Sequence, residues 1–110
     1  MGRFKSLGEL EHLLLLAVMR LGEDAYGVPI RREVEERTGR SVSSGSIYPT
    51  MDRLEEQGLV ESEVSGSFGE RGGRSRKYFA LTPAGEAILR HAHSMYASMW
   101  AGFEPGGTSG

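Results

Sequence analysis

The chain has 110 residues, a length that suits one domain with a modest core. Its 38% apolar and 25% charged residues are ordinary for a globular fold, and the lack of cysteine excludes disulfides and thiolate metal sites. The formal net charge is −2, so affinity for a polyanion would have to come from where the charges lie, not from their sum.

Met1 to Ser6 is short and basic and lacks a cleavage pattern behind it. The longest apolar run, Leu13 to Met19, falls well short of the roughly 20 residues that span a bilayer. A cytoplasmic location without a membrane partner is the expectation.

Leu10, Leu13, Leu14, Ala17 and Leu21 recur at helical spacing and predict a first helix over residues 7–21. Leu15, Leu16, Val18 and Met19 extend its apolar surface nearly all round, so it needs cover on more than one side. After Gly22-Glu23-Asp24, a second helix is expected over residues 27–38. Pro29 sits in its first turn, Val28, Ile30 and Val34 face inward, and Gly39 ends it. Ser43, Ser44 and Ser46 supply N-cap hydroxyls for a third helix over residues 44–57, with Ile47, Met51 and Leu54 inward and Pro49 near the start. Residues 59–64 and 77–81 read as two strands of a hairpin, joined by a stretch holding Gly66, Gly69, Gly72 and Gly73. Thr82 as N-cap and Pro83 as first residue open a last helix running to about residue 102.

The fold class is therefore mainly α with a small β-hairpin: a winged helix-turn-helix plus a C-terminal dimerisation helix. Residues 1–82 are expected to form the DNA-binding unit, 83–104 the dimerisation helix and 105–110 a disordered tail. In this arrangement the third helix enters a major groove and the hairpin lies along the backbone or a minor groove.

The charges fit that use. Arg71, Arg74, Arg76 and Lys77 place four positive charges within seven residues, with no acid among them. Each phosphate they neutralise would release counterions and steepen the salt dependence of binding. On the third helix, Ser44, Ser46, Tyr48, Thr50 and Arg53 suit phosphate oxygens and base edges, while Asp52, Glu55 and Glu56 are expected to point away from DNA. Arg53 has an alternative partner in Glu56, one turn on.

Three stretches carry a resemblance. They are Ala25-Tyr26-Gly27-Val28-Pro29-Ile30, the run from Gly45 to Glu55 (Gly-Ser-Ile-Tyr-Pro-Thr-Met-Asp-Arg-Leu-Glu), and the run from Arg76 to Gly85 (Arg-Lys-Tyr-Phe-Ala-Leu-Thr-Pro-Ala-Gly). In this order and spacing the chain resembles the PadR family of bacterial transcriptional regulators, over roughly residues 7–103. The resemblance implies a homodimer, usually a repressor, on a roughly palindromic operator of double-stranded DNA. It also implies the compact subgroup with a single C-terminal helix.

That last helix carries two apolar stripes: Ile88, Ala92, Met95 and Met99, and Leu89, Tyr96, Trp100 and Phe103. One can pack on the parent domain; the other needs a partner, since so large an apolar patch is rarely left bare. The expected dimer interface comprises Leu10, Leu14, Leu89, Tyr96, Trp100 and Phe103. Met95, Met99 and Trp100 could instead line a pocket for a small planar or aromatic effector, plain interface packing being the simpler reading. His91 and His93 lie about 200° apart on a helix and cannot share one metal. No catalytic set and no phosphate loop is present, so neither enzyme activity, a cofactor nor a metal is expected. The rival readings are a ligand-responsive sensor built on the hydrophobic pocket and a winged-helix module for protein-protein contacts.

Overall fold

The computed structural model describes residues 7–65 and 76–103. Its elements run α1 (Glu9–Leu21), a 3-10 turn (Gly22–Asp24), α2 (Gly27–Thr38), α3 (Ser44–Glu56), β1 (Val60–Ser65), β2 (Arg76–Leu81) and α4 (Pro83–Trp100). This is the mainly helical architecture with a two-stranded wing that the patterning predicts. The expected tail and most of the glycine-rich tip lie outside the described residues, Arg71 and Arg74 among them.

Helix ends follow local chemistry. At the start of α1 the Gly8 N–H donates to Glu11 Oε1 at 3.0 Å, and Glu9 and Glu11 place negative charge at the positive end of the helix dipole. α2 stops at Gly39, whose N–H bonds the Glu35 carbonyl at 2.9 Å. Ser43 is the N-cap of α3, yet its hydroxyl makes no cap bond and lies 3.3 Å from Ser46 Oγ. Pro49 sits deeper in α3 than expected, in the second turn. It withholds one N–H from the Gly45 carbonyl, on a side where both residues are exposed to water.

β1 and β2 are antiparallel, pairing Val60 with Leu81, Ser62 with Phe79 and Val64 with Lys77. The outer edge of β2 is tied down as well: Phe79 N–H donates to the Ala25 carbonyl at 2.8 Å, so the chain entering α2 lies along the hairpin. Thr82 joins wing to α4. Its hydroxyl accepts from Gly85 N–H at 3.0 Å and donates to the Gly58 carbonyl at 2.6 Å, and its N–H reaches the Leu59 carbonyl. Gly85 is required there, because a methyl group would overlap the Leu59 carbonyl oxygen.

The core draws on every element: Leu14, Leu15 and Val18 from α1, Ile30 and Val34 from α2, Ile47, Met51 and Leu54 from α3, Val60 and Phe79 from the wing, and Ile88 and Leu89 from α4. Two expectations are corrected. Leu14 and Leu89 belong to the core of a single chain, 0% and 4% exposed, and offer no surface to a second copy. Val28 points outward, because two residues along a helix turn it about 200° away from Ile30. α1, apolar nearly all round, is covered on several sides by one chain: it touches α2, α3, α4 and β2, while Leu10, Leu13 and Leu16 stay half-buried at its margin.

Candidate nucleic-acid interface

Helix α3, the expected reading helix, is anchored by Ile47, Thr50, Met51 and Leu54, all buried. Thr50 was expected to face DNA; it lies 3% exposed, its Oγ1 3.4 Å from Arg53 Nη2. The reason is periodicity. Positions 47, 50, 51 and 54 are one helical face, and a threonine methyl group is accepted there once its hydroxyl has a partner.

The opposite face of α3 is exposed at Gly45, Tyr48, Pro49, Asp52 and Glu56. Its first two turns carry no charge, with Ser44 exposed and Ser46 half-buried. Acids enter only in its second half. Asp52 therefore shares the outer face rather than turning away, and its charge is met by Lys77 Nζ at 3.5 Å. Glu55 stands 3.7 Å from the same ammonium and accepts from Ser62 Oγ at 2.7 Å. Arg53 leans back on α1, where Glu11 is 3.9 Å away, rather than pairing with Glu56.

Tyr48 is fixed from behind. Its hydroxyl sits so close to Gly27 that any side chain there would collide with it, and its ring lies 6.3 Å from that of Phe79. The Tyr-Gly pair at the start of α2 and the Tyr-Pro pair in α3 are thus one packing unit.

The wing's two described cations lie on opposite faces, because neighbouring residues of a strand point in opposite directions. Lys77 faces α3 and lies 5.7 Å over the Phe79 ring. Arg76 faces the other way: its guanidinium carbon is 4.5 Å from the centroid of Tyr26, which in turn packs 5.2 Å from Tyr78. Hydrogen bonding to Tyr78 holds Arg76 above its ordinary pKa. That second face borders an open groove of about 1010 Å³ rimmed by Glu23, Asp24, Glu61, Glu63 and Glu86, with no lysine or arginine in its lining. A polyanion is repelled from that face.

The turn between α2 and α3 is held by Glu35. Its Oε2 accepts from Val42 N–H at 2.8 Å and from Arg31 Nε at 3.4 Å. These bonds, the backbone one first, hold its carboxyl below the usual glutamate range. Glu33 is held low too, by Arg20 and then Arg37, which bind it at 2.8 and 2.5 Å. Because Arg20 lies on α1, that triad locks α1 to α2.

A second groove, of about 280 Å³, opens between the first turns of α2 and α3 and is lined by Val28, Arg31, Arg32, Ser44 and Tyr48 among others. Periodicity does not reveal this groove, because the apolar spacing of α2 marks only its buried side. The outward Arg-Arg pair one turn past Val28 was the available signal.

Comparison with known proteins agrees with this geometry. The family model described as "Transcriptional regulator PadR-like family" matches residues 15–91. The chain is 39% identical over 66 residues to "Transcriptional regulator Rv3488" of Mycobacterium tuberculosis; the match covers 60% of this chain and spans 57% of that relative's length. Among solved structures it is similar to a PadR family transcription regulator from Clostridium difficile R20291, with a TM-score of 0.72 and 26% identity over 86% of this chain and 93% of that one. It is also similar to a padr family transcriptional regulator from Eggerthella lenta DSM 2243, with a TM-score of 0.65 and 31% identity over 86% and 81% of the two chains. With most of its length matched by the family model and its winged fold shared with these structures, the chain belongs to the PadR-like family of transcriptional regulators, a family of regulators rather than enzymes.

Proposed function

We propose that the protein is a homodimeric repressor that binds a pseudo-palindromic operator, with the two α3 helices in successive major grooves about 34–36 Å apart. The uncharged first half of α3 supports the base-reading role, with Ser44, Ser46 and Tyr48 at its entry. Lys77 and Arg53 flank it, and both would exchange carboxylate partners for phosphates on binding. Arg71 and Arg74 add the sequence-independent pull of the wing, whereas Arg76, turned to the acidic face, does not share in it.

The observation that carries the reading is the far half of α4 together with the residues just past its end. Met95, Tyr96, Met99, Trp100 and Phe103 are all exposed in one chain, Met99 at 77% and Phe103 at 76%. Tyr96 stacks on His12 of α1 at 6.3 Å, so this surface runs on into half-buried Leu10, Leu13 and Leu16. A second copy laid along α4 is the simplest cover, and its two-fold symmetry would match that of the operator. Plain packing of this interface is favoured over an effector pocket. Met95, Met99 and Trp100 line neither groove described above.

Sedimentation equilibrium at micromolar concentration, with a footprint on the DNA upstream of the gene at two salt concentrations, tests this. The expected result is a dimer protecting two half-sites, more weakly at high salt, and lower reporter expression when the protein is present. A monomer, or binding indifferent to salt, overturns it.

A further inference from the structure

Nearly every described cation of this protein is already engaged. Arg20 and Arg37 share Glu33, Arg31 holds Glu35, Arg40 meets Glu9, Arg53 meets Glu11 and Arg90 meets Glu86. Lys77 bridges Asp52 and Glu55, and Arg76 lies over Tyr26. Among the described residues Arg32 is the one arginine with neither a carboxylate nor a ring as partner, and it is exposed. An arginine held by a carboxylate must give up that bond to take a new anion. Arg32 gives up only water.

Its position gives that availability a use. Arg32 lines the groove of about 280 Å³ between the starts of α2 and α3, with Arg31 beside it and the Ser44 and Tyr48 side chains in the same lining. The groove thus combines one uncommitted guanidinium, one shared with Glu35 and two hydroxyls. A phosphodiester needs this set: a charge-assisted fork plus neutral donors for its remaining oxygen lone pairs. Glu35, the groove's one acid, is already bound by Val42 N–H and Arg31. The groove also adjoins the uncharged half of α3, whereas the acidic groove beside Tyr78 is lined by the wing's other face.

From this we infer that Arg32 is a backbone anchor: it takes one DNA phosphate flanking the major groove that α3 enters and so sets the register of the reading helix. The inference rests on the DNA-binding reading above. It moves Tyr48 from base reader to phosphate donor. It also gives each protomer a phosphate site on α2, separate from the wing.

A short mixed-sequence duplex suffices as probe, because a phosphate anchor is indifferent to sequence. Anisotropy titrations of the full chain across a salt series would compare wild type, Arg32→Gln and Arg32→Lys, with thermal melts to establish that all three are folded. Arg32→Gln is expected to bind more weakly at every salt and to flatten the log–log salt slope by about 0.9 per bound protomer. Arg32→Lys keeps the charge and is expected to keep the slope. On the upstream DNA, Arg32→Gln lowers affinity without changing the preference over the mixed duplex. Unchanged slope and affinity in Arg32→Gln, beside a wild type that binds, overturn the anchor and leave the regulator reading intact. A wild type without salt-dependent binding overturns the regulator reading itself. Binding of inorganic phosphate alone that Arg32→Gln abolishes, with the DNA slope unmoved, assigns the groove to a free anion and likewise overturns the anchor.

Discussion

Thr82 illustrates how one residue joins two elements. Its hydroxyl caps α4 by accepting from Gly85 and ties that cap to the end of α3 by donating to the Gly58 carbonyl. Removing it leaves a helix N–H and a carbonyl without these partners. Thr82→Ala is expected to lower stability by about 1–2 kcal/mol in urea unfolding, with Thr82→Ser recovering most of it. A loss within error of zero would mean that water replaces both bonds. The cap was legible, since Thr-Pro before an apolar run is a local signal. The bond to Gly58 was not, because it depends on where the wing returns. Thr50 makes the complementary point. Its spacing from Ile47 and Leu54 already placed it on the buried face, and reading it as a DNA contact gave residue type more weight than position.

At the scale of elements, α4 is one helix in two environments. Its first half buries Ile88 and Leu89 against the core; its second half exposes Met95, Tyr96, Met99 and Trp100, with exposed Phe103 just past its end. The two apolar stripes read from periodicity therefore separate along the helix rather than around it, and each contributes at its N-terminal end to the core of a single chain. This division yields a prediction. Trp100→Glu in the exposed half is expected to convert a dimer to monomer in sedimentation velocity without unfolding the winged unit. Buried tryptophan emission in wild type should shift to the red in dilute solution, where dimers dissociate. A Trp100→Glu protein that stays dimeric would remove α4 from the interface. The wing shows the same dependence on direction. Four cations within seven residues read as one patch, but alternation along β2 sends Arg76 to Tyr26 and Lys77 to Asp52.

For the whole molecule, the ion-paired helices set an acid limit on stability. Glu33 and Glu35 are both held below the ordinary glutamate range in the folded chain. A depressed folded pKa means that the unfolded chain takes up protons first, so this stabilisation is present at neutral pH and is lost as pH falls below about 4.5. Urea midpoints are expected to be flat from about pH 7 to 5.5 and to fall at lower pH. Glu33→Gln should lower the neutral midpoint and make the acid fall shallower; an acid slope identical to wild type would show that the Arg20–Glu33–Arg37 triad contributes nothing measurable. The effect is modest because these groups are partly solvated and screened. It still bears on function, since the triad joins α1 to α2 and Glu35 holds the turn that orients α3.

Periodicity, capping residues and glycine positions by themselves determined the order helix, helix, helix, hairpin, helix and most element bounds. These signals are local: a period of 3.6 or 2, a hydroxyl before a proline, a glycine after a charged turn. The three Tyr-Gly, Tyr-Pro and Arg-Lys-Tyr stretches added the family. Only the tertiary structure decided which surfaces remain free. It placed Leu14 and Leu89 inside one chain, turned Val28 outward, gave Arg53 to Glu11 and Lys77 to Asp52, and left Arg32 unpaired among the described residues. Pairing and burial are settled by neighbours distant in the chain, and no spacing along the sequence records them.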